Sequence, residues 1–73
     1  MRTIYVVNYD LIKQKRKEKH LSMQNMAMIL GLNSRSAYYY KETGKSSFKD
    51  WEIAIIVPLL GIKFSDFFKK KGS

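Results

Sequence analysis

The 73-residue sequence has no cysteine, one histidine, one proline and six acidic residues. Without cysteine no disulfide can stabilise the fold, and no spacing of residues is typical of a zinc site. Stability therefore has to come from the 45% of hydrophobic residues or from self-association. No apolar run approaches the roughly 18 residues of a membrane span, and no signal-peptide pattern is present. We expect one soluble, cytoplasmic domain over residues 1–73 that makes no membrane contact.

Residues that could perform catalysis are scarce. The only histidine, His20, lies where the first predicted helix must end, and it has no cysteine or paired acid nearby in sequence. A capping or solvent-exposed role is therefore expected for it. No phosphate-binding glycine loop, nucleophile elbow or metal-ligand spacing is found. We expect a protein that is not an enzyme, with no catalytic residue, no metal site and no cofactor.

Positive charge is in excess, with 14 Lys and Arg against six Asp and Glu and a net charge of +8. This balance favours association with nucleic acid or with an acidic partner surface. The basic residues of the first predicted helix point in all directions round it, which is more typical of a solvated face than of a specific contact site. They are Lys13, Lys15, Arg16, Lys17 and Lys19.

The two ends of the chain differ from its centre. Residues 3–7, TIYVV, are β-branched and aromatic, which predicts a short extended arm or strand within residues 1–7. A single strand leaves its backbone groups unpaired, so it either lies on the helices as an arm or pairs with a second copy in a homodimer. At the other end, residues 69–73 are expected to form a flexible basic tail.

Capping residues and apolar spacing predict three helices in the first part of the chain, over residues 8–19, 22–31 and 34–43. Each of these ranges begins with Asn or Ser, and glycine ends the second and follows the third. The second helix has the i, i+3, i+4, i+7 spacing of a buried stripe. Its members are Met23, Met26, Ala27 and Leu30.

Two further helices are predicted after Gly44, which makes the expected fold all-α with five helices. Ser47 is expected to cap the fourth helix, and Pro58 to break or kink it because proline lacks an amide hydrogen and clashes with the preceding turn. Residues 59–62 are expected to continue as a turn before a last short helix. The residues expected to face the core in this part of the chain are Phe48, Trp51, Ile55, Ile56, Phe64, Phe67 and Phe68.

Three segments, LSMQNMAMILGL, SRSAYYYKETGK and LLGIKFSDFF, give the sequence a family resemblance. With a Ser-x-x-x-x-Ala start, a glycine turn, a Glu-x-Gly ending and a final Leu-Gly-Ile, residues 11–68 resemble the Cro/CI-type (XRE) helix-turn-helix domains of phage and bacterial repressors. The resemblance implies a regulator of transcription in the lysis-lysogeny switch of a temperate phage, acting in the cytoplasm of the bacterial host cell. The RSAYYYKE segment looks like the regulators of phages that infect low-GC Gram-positive bacteria.

The resemblance also implies residue roles. An arginine of the first helix pairs with the glutamate that closes the recognition helix in such domains, and Arg16 and Glu42 stand at those positions. Helical spacing independently places residues 35, 36, 39 and 40 on one side of the third helix and 34, 38, 41 and 42 on the other. By resemblance, Ala37 and Tyr38 face inward. The outward-facing residues are Ser34, Arg35, Ser36, Tyr39 and Tyr40.

These outward residues have the chemistry for reading a major groove. The Arg35 guanidinium can bridge guanine O6 and N7, the serine hydroxyls can donate to phosphate or base edges, and Tyr39 can reach a phosphate or a thymine methyl. Lys45, Ser46 and Ser47 could hold the DNA backbone. Met23 stands where the family usually has a phosphate-anchoring glutamine, and Gln24 lies one step round the helix. Operator DNA, bound by a homodimer, is the first expected partner.

The Tyr-rich face also suits a protein partner, because tyrosine supplies contact area at low entropic cost. Phage switches use small modulators of repression, or antirepressors, that bind the repressor itself. The alternative is therefore an antirepressor that binds a phage CI-type repressor through this face. Since the DNA-binding surface of a repressor is expected to be basic, such a complex needs local acidic patches or a large apolar contact.

Overall fold

A computed structural model describes residues 4–71 of the chain. These residues form a mostly helical fold with a small two-stranded antiparallel sheet. None of the helices within residues 4–71 combines the length and the hydrophobicity that a membrane-spanning helix requires. In chain order the elements are β1 Tyr5–Val7, α1 Tyr9–Glu18, α2 Met23–Ile29, α3 Arg35–Glu42, α4 Asp50–Leu60, α5 Phe64–Phe67 and β2 Phe68–Lys70.

Polar side chains begin the first three helices at the predicted residues. Asn8 and Ser34 each accept a backbone N–H from the first turn of their helix, at 3.3 Å and 3.2 Å. Ser22 Oγ accepts the Asn25 N–H at 3.0 Å, and Asn25 Oδ1 accepts the Ser22 N–H at 2.9 Å, which completes a capping box. Gly31 follows α2 with a φ of 68°, a left-handed conformation that glycine adopts without strain. The starts of α1, α2 and α3 are therefore encoded locally.

The core lies where α2 packs along α3 and where α1 crosses α3 and α4. Phe48 joins the two halves of the chain, because its ring packs edge to face with the rings of Tyr38 and Phe67. The ring centres are 6.4 Å apart for Tyr38 and 5.9 Å apart for Phe67. The predicted stripe of α2 is confirmed: Met26, Ala27 and Leu30 are buried, and Met23 is half-buried. The buried apolar residues are Ile12, Met26, Ala27, Leu30, Tyr38, Phe48, Ile56, Leu60, Ile62 and Phe67.

The N-terminal strand finds its partner within the same chain. β1 runs antiparallel to β2, with Tyr5 opposite Lys70 and Val7 opposite Phe68, and the Lys71 N–H donates to the Ile4 carbonyl at 2.9 Å. The predicted strand is therefore confirmed for Tyr5–Val7, but its partner differs from the prediction: one of its edges pairs with β2 of the same chain, whereas an arm lying on the helices or a pair with a second copy was expected.

The predicted flexible tail is also corrected, since residues 69 and 70 belong to β2. Lysine is depleted in strands, so the run of three lysines gave no indication that these residues pair with β1. Residues 1–3 of the predicted arm and residues 72 and 73 of the predicted tail lie outside the described residues.

The start of α4 differs from the prediction. The helix begins at Asp50, and Glu52 Oε1 accepts the N–H of the preceding Lys49 at 2.8 Å. Ser47 does not cap the helix. Its carbonyl oxygen instead accepts a hydrogen bond from Lys41 Nζ at 2.9 Å, so the loop before α4 is tied to α3.

Pro58 does not break α4, in contrast to the prediction. α4 continues through Pro58 to Leu60 and ends at Gly61, whose φ is 67°. Proline stands in the last turn and is exposed, so its ring meets solvent rather than the core. The buried side chains of Ile56 and Leu60 on either side hold this turn against the rest of the protein.

Two aromatic side chains that were expected in the core lie outside it. Trp51 is 51% exposed and Phe64 is 64% exposed, whereas Phe67 is buried and Phe68 half-buried. The reason for Trp51 is the rotation of α4 about its axis. Glu52 is 1% exposed, so the inward stripe of α4 runs through residues 52, 56 and 60 and turns Trp51 to the opposite side.

Candidate nucleic-acid or protein interface

α3 has one buried face and one exposed face. Tyr38 and Glu42 lie inward, and Ala37 is half-buried. The exposed face is formed by four of the residues that the sequence places outward. These residues, called here the outer face of α3, are Arg35, Ser36, Tyr39 and Tyr40.

A buried ion pair fastens the C-terminal end of α3 to α1. Arg16 Nε donates to Glu42 Oε2 at 2.8 Å, and Nη2 donates to Oε1 at 3.1 Å. The third guanidinium nitrogen, Nη1, donates to the Leu21 carbonyl at 2.8 Å, in the turn before α2. Both side chains are buried, and such a bidentate contact fixes the orientation of the two groups as well as the distance between them. One arginine thus ties α1, α3 and the α1–α2 turn together.

A second buried ion pair fastens α3 to α4. Lys41 Nζ lies 2.9 Å from Glu52 Oε1 and also donates to the Ser47 carbonyl at 2.9 Å. The pair of Lys41 and Glu52 was not predicted from the sequence. Its signal was available, however, because helical spacing put residue 41 on the inner side of the helix, and a buried ammonium group needs an anionic partner. Two ion pairs therefore set the rotation of α3 about its axis.

Tyr38 lies in the core with an unusual hydroxyl group. The ring is fully buried, and its hydroxyl has no hydrogen-bond partner among the described residues. Burial raises the pKa of this phenol, and the nearby negative charge of Glu42 raises it further. Tyr38 therefore remains neutral and contributes packing behind the outer face.

Aromatic and basic groups meet on the outer face. Tyr39 and Tyr40 are 47% and 42% exposed, and their rings meet edge to face at 6.0 Å. Lys45 Nζ lies 5.4 Å from the centre of the Tyr40 ring, a cation–π arrangement. The N–H groups of Lys45 and Ser46 both donate to the Tyr40 carbonyl, at 2.8 Å and 3.0 Å, so the loop folds back onto the end of α3.

The remaining candidate residues are exposed but differ in how they are held. Ser34 caps α3, so its oxygen is engaged while its O–H hydrogen is free to donate outward. Gln24 is exposed in the first turn of α2. His20 is exposed in the turn after α1, with a φ of 58°, which agrees with the expected solvent-exposed role.

A groove of about 360 Å³ runs beside the outer face of α3. Tyr9, Asp10 and Lys13 of α1 line one side, and Tyr39 and Thr43 line the other. Asp10 is exposed and forms no ion pair with any residue in the range 4–71. The groove that Tyr39 lines therefore contains one carboxylate without an ion pair, and the basic Lys13 lies on the same side of it.

Residues 4–71 contain no candidate metal site. No group of three His, Asp or Glu side chains within residues 4–71 is placed to hold a metal ion.

No family model, curated protein or solved structure matches the chain. Its function is therefore inferred from its own residues, foremost from the outer face of α3.

Proposed function

We propose that this chain is a helix-turn-helix transcriptional regulator of a temperate phage lysis-lysogeny switch that binds operator DNA. In this proposal α2 and α3 form the helix-turn-helix and α3 enters the major groove. One observation carries the proposal. Two buried ion pairs hold the inner side of α3 against α1 and α4, while Arg35 and Tyr39 are exposed on its other side. The resemblance of three segments to Cro/CI-type domains supports the same function.

The chemistry of the exposed residues fits a DNA groove. Arg35 opens α3, where its guanidinium fork reaches a guanine edge, and the short Ser36 side chain allows close approach. In this proposal Tyr39 and the loop residues Lys45 and Ser46 contact phosphates, as does Gln24 from α2. Because the ion pairs already fix α3, little backbone ordering opposes binding.

Binding titrations with two variants test the proposal. Arg35→Ala is expected to cost about 1–3 kcal/mol and to relax specificity at one base pair, because the guanine contact is lost. Lys45→Ala is expected to weaken all DNA sequences alike and to reduce the slope of log affinity against log salt by about one unit.

A matched control is Lys70→Ala, which removes an exposed positive charge from β2 without touching α3. It is expected to leave the specificity unchanged. If Arg35→Ala and Lys70→Ala lose affinity equally on every duplex, the DNA contact is general attraction to a polyanion and the proposed groove-reading role of α3 is wrong.

One observation favours a second candidate, an antirepressor that binds a CI-type repressor through the same face. The paired rings of Tyr39 and Tyr40 offer aromatic contact area, and Asp10 in the adjoining groove supplies the local negative charge that a basic repressor surface requires. A partner's arginine or lysine side chain in the groove would meet both an aromatic ring and a carboxylate.

Asp10→Asn separates the two candidates because the expected changes have opposite signs. Removing this charge should strengthen DNA binding, since a group that repels phosphate is lost, and should weaken repressor binding. Tyr39→Ala should abolish co-purification with the repressor. The measurement is titration of native protein and both variants against operator DNA and against the repressor. Unchanged repressor affinity in both variants would exclude the antirepressor role of this face.

A further inference from the structure

The two-stranded sheet carries a cluster of exposed lysines. Three consecutive lysines, residues 69–71, lie along β2 and directly after it, and all three are exposed. None of them forms an ion pair with a residue in the range 4–71. Asp66 is the only acidic residue from position 61 to position 71, and β1 contains none. The sheet therefore concentrates positive charge that stays unpaired among the described residues.

Two exposed aromatic rings lie beside these lysines. Tyr5 stands opposite Lys70 in the β1–β2 register, so both side chains project from the same face of the sheet. Phe68 shares that face because it lies two residues before Lys70, and the Phe64 ring packs edge to face against the Phe68 ring at 5.8 Å. Tyr5 is 59% exposed and Phe64 is 64% exposed. Aromatic and positively charged groups therefore adjoin one another at the sheet. These residues, called here the ribbon surface, are Tyr5, Phe64, Lys69, Lys70 and Lys71.

The sheet is attached to the helices by its own contacts. The Asn8 N–H donates to the Phe67 carbonyl at 2.8 Å, which joins the end of β1 to the start of β2. Val7 and Phe68 pack against the core from the paired strands. The lysines and rings of the ribbon surface are therefore already placed, and little backbone ordering opposes the binding of a partner.

We propose that the ribbon surface binds single-stranded nucleic acid, with phosphates on the lysines and unpaired bases stacked on Tyr5 and Phe64. A cluster of unpaired positive charge attracts a polyanion. The exposed rings select among polyanions, because an unpaired base has a free face for an aromatic side chain, whereas the bases of a duplex are already stacked on one another. The ribbon surface shares no residue with the outer face of α3, so this inference does not rest on the proposed operator binding.

The directions of the lysines favour a flexible strand over a flat anionic membrane. Successive residues of a β-strand point to opposite faces, so Lys70 projects from one face of the sheet and Lys69 from the other. Pairing continues past β2, where the Lys71 N–H donates to the Ile4 carbonyl at 2.9 Å, so Lys71 projects with Lys69. A planar lipid surface meets one face at a time. A single strand of nucleic acid can pass round the sheet and reach all three ammonium groups.

The experiment is a fluorescence-anisotropy titration of the full chain with a labelled oligothymidine of about 12 nucleotides, within the range of known single-strand site sizes. Titrations are repeated at several salt concentrations, with a random-sequence duplex and with phosphatidylserine vesicles. Replacement of Lys69, Lys70 and Lys71 together by Gln is expected to reduce the slope of log affinity against log salt by about two units, since each phosphate contact of a single strand contributes about 0.7.

The aromatic residues are tested separately from the charges. Tyr5→Ala and Phe64→Ala are each expected to weaken oligothymidine binding at least about fivefold, because a base loses its stacking partner. Both variants should keep the native salt slope and the native affinity for the duplex. This combination distinguishes stacking from a loss of folding, which would weaken both ligands. Helical circular dichroism should match that of the native chain, since both side chains are exposed.

The matched control replaces three exposed lysines of another surface, Lys13, Lys17 and Lys19, by Gln. It removes the same charge from the chain but leaves the sheet intact. Its salt slope is expected to change by less than about one unit, because only contacts to phosphate enter the slope. An equal fall in slope for the two triple variants would overturn the proposal, since the attraction would then belong to the whole charge of the chain.

Three other results would also overturn the proposal. They are native affinity of Tyr5→Ala and Phe64→Ala for oligothymidine, an equal loss of both ligands in these variants, and binding of the native chain to the vesicles but not to oligothymidine. Arg35→Ala is expected to leave oligothymidine binding unchanged, because Arg35 lies on the outer face of α3. The operator proposal and the proposal for the ribbon surface can therefore fail separately.

Discussion

The substitution Glu42→Gln tests how far the buried ion pair at the end of α3 holds the candidate interface in place. Glutamine has nearly the shape of glutamate, so the change removes the negative charge and leaves the packing almost intact. The guanidinium of Arg16, which is 6% exposed, then lies in the core without its counter-charge. Its contact with the Leu21 carbonyl at 2.8 Å remains, but a single neutral acceptor does not compensate a buried cation.

The expected cost is a large part of the stability of the protein. Removal of one partner of a buried ion pair costs about 3–5 kcal/mol, and the remaining amide oxygen places Glu42→Gln near the lower limit. A domain of 73 residues is expected to have a free energy of unfolding of about 4–11 kcal/mol. Each kcal/mol corresponds to about 4–8 °C in Tm at this size, so the melting temperature should fall by at least about 12 °C.

Urea unfolding and thermal melting followed by circular dichroism measure this effect. Glu18→Gln is the control, because it makes the same chemical change in the exposed Lys15–Glu18 pair at 3.4 Å, and no measurable change is expected. The double variant Arg16→Met with Glu42→Met should be more stable than Glu42→Gln, since no charge is left buried. A cost for Glu42→Gln below about 1 kcal/mol, which is the upper range for surface pairs, would show that this ion pair does not hold α3 against α1.

Substitutions at three further positions test how the outer face of α3 is held in place. Glu52→Gln leaves the ammonium group of Lys41 without its carboxylate and should cost about 3–5 kcal/mol in urea unfolding. Ser34→Ala removes the cap of α3 and should cost about 1 kcal/mol, whereas Ser34→Gly should cost only a few tenths. Tyr38→Phe should not lower the free energy of unfolding at neutral pH, because the hydroxyl has no partner among residues 4–71. The pKa of the folded Tyr38 phenol lies above its ordinary value of about 10, so the native state keeps a proton that the unfolded state releases. Native stability should therefore fall as pH rises past about 10, and urea unfolding should show a smaller fall for Tyr38→Phe; an equal fall in both would exclude this role of Tyr38.

Features that depend on neighbouring residues could be predicted from the sequence. The caps at Asn8, Ser22 and Ser34 act within one turn of their own helices, so their side chains specify where each helix begins. The two sides of α3 follow from helical spacing alone, which correctly separates Tyr39 and Tyr40 from the buried Tyr38.

Features that depend on distant residues could not be predicted in this way. α4 is apolar nearly all round, so its periodicity does not say which side faces inward. Its orientation follows from the contact between Glu52 and Lys41, and rules of polarity place both residues at the surface. Likewise, the groove between Asp10 and Tyr39 exists only because α1 and α3 pack together. The exposed Trp51 follows from the same orientation of α4.

The most direct test of the central claim is selection of DNA duplexes from a randomised library by the native protein, followed by titration of the enriched duplex with Arg35→Ala. If the outer face of α3 reads a major groove, a sequence containing guanine is enriched, and Arg35→Ala loses about 1–3 kcal/mol on that sequence while retaining its affinity for random duplexes. Absence of any enriched sequence, with affinity no higher than for random duplexes, would contradict the claim.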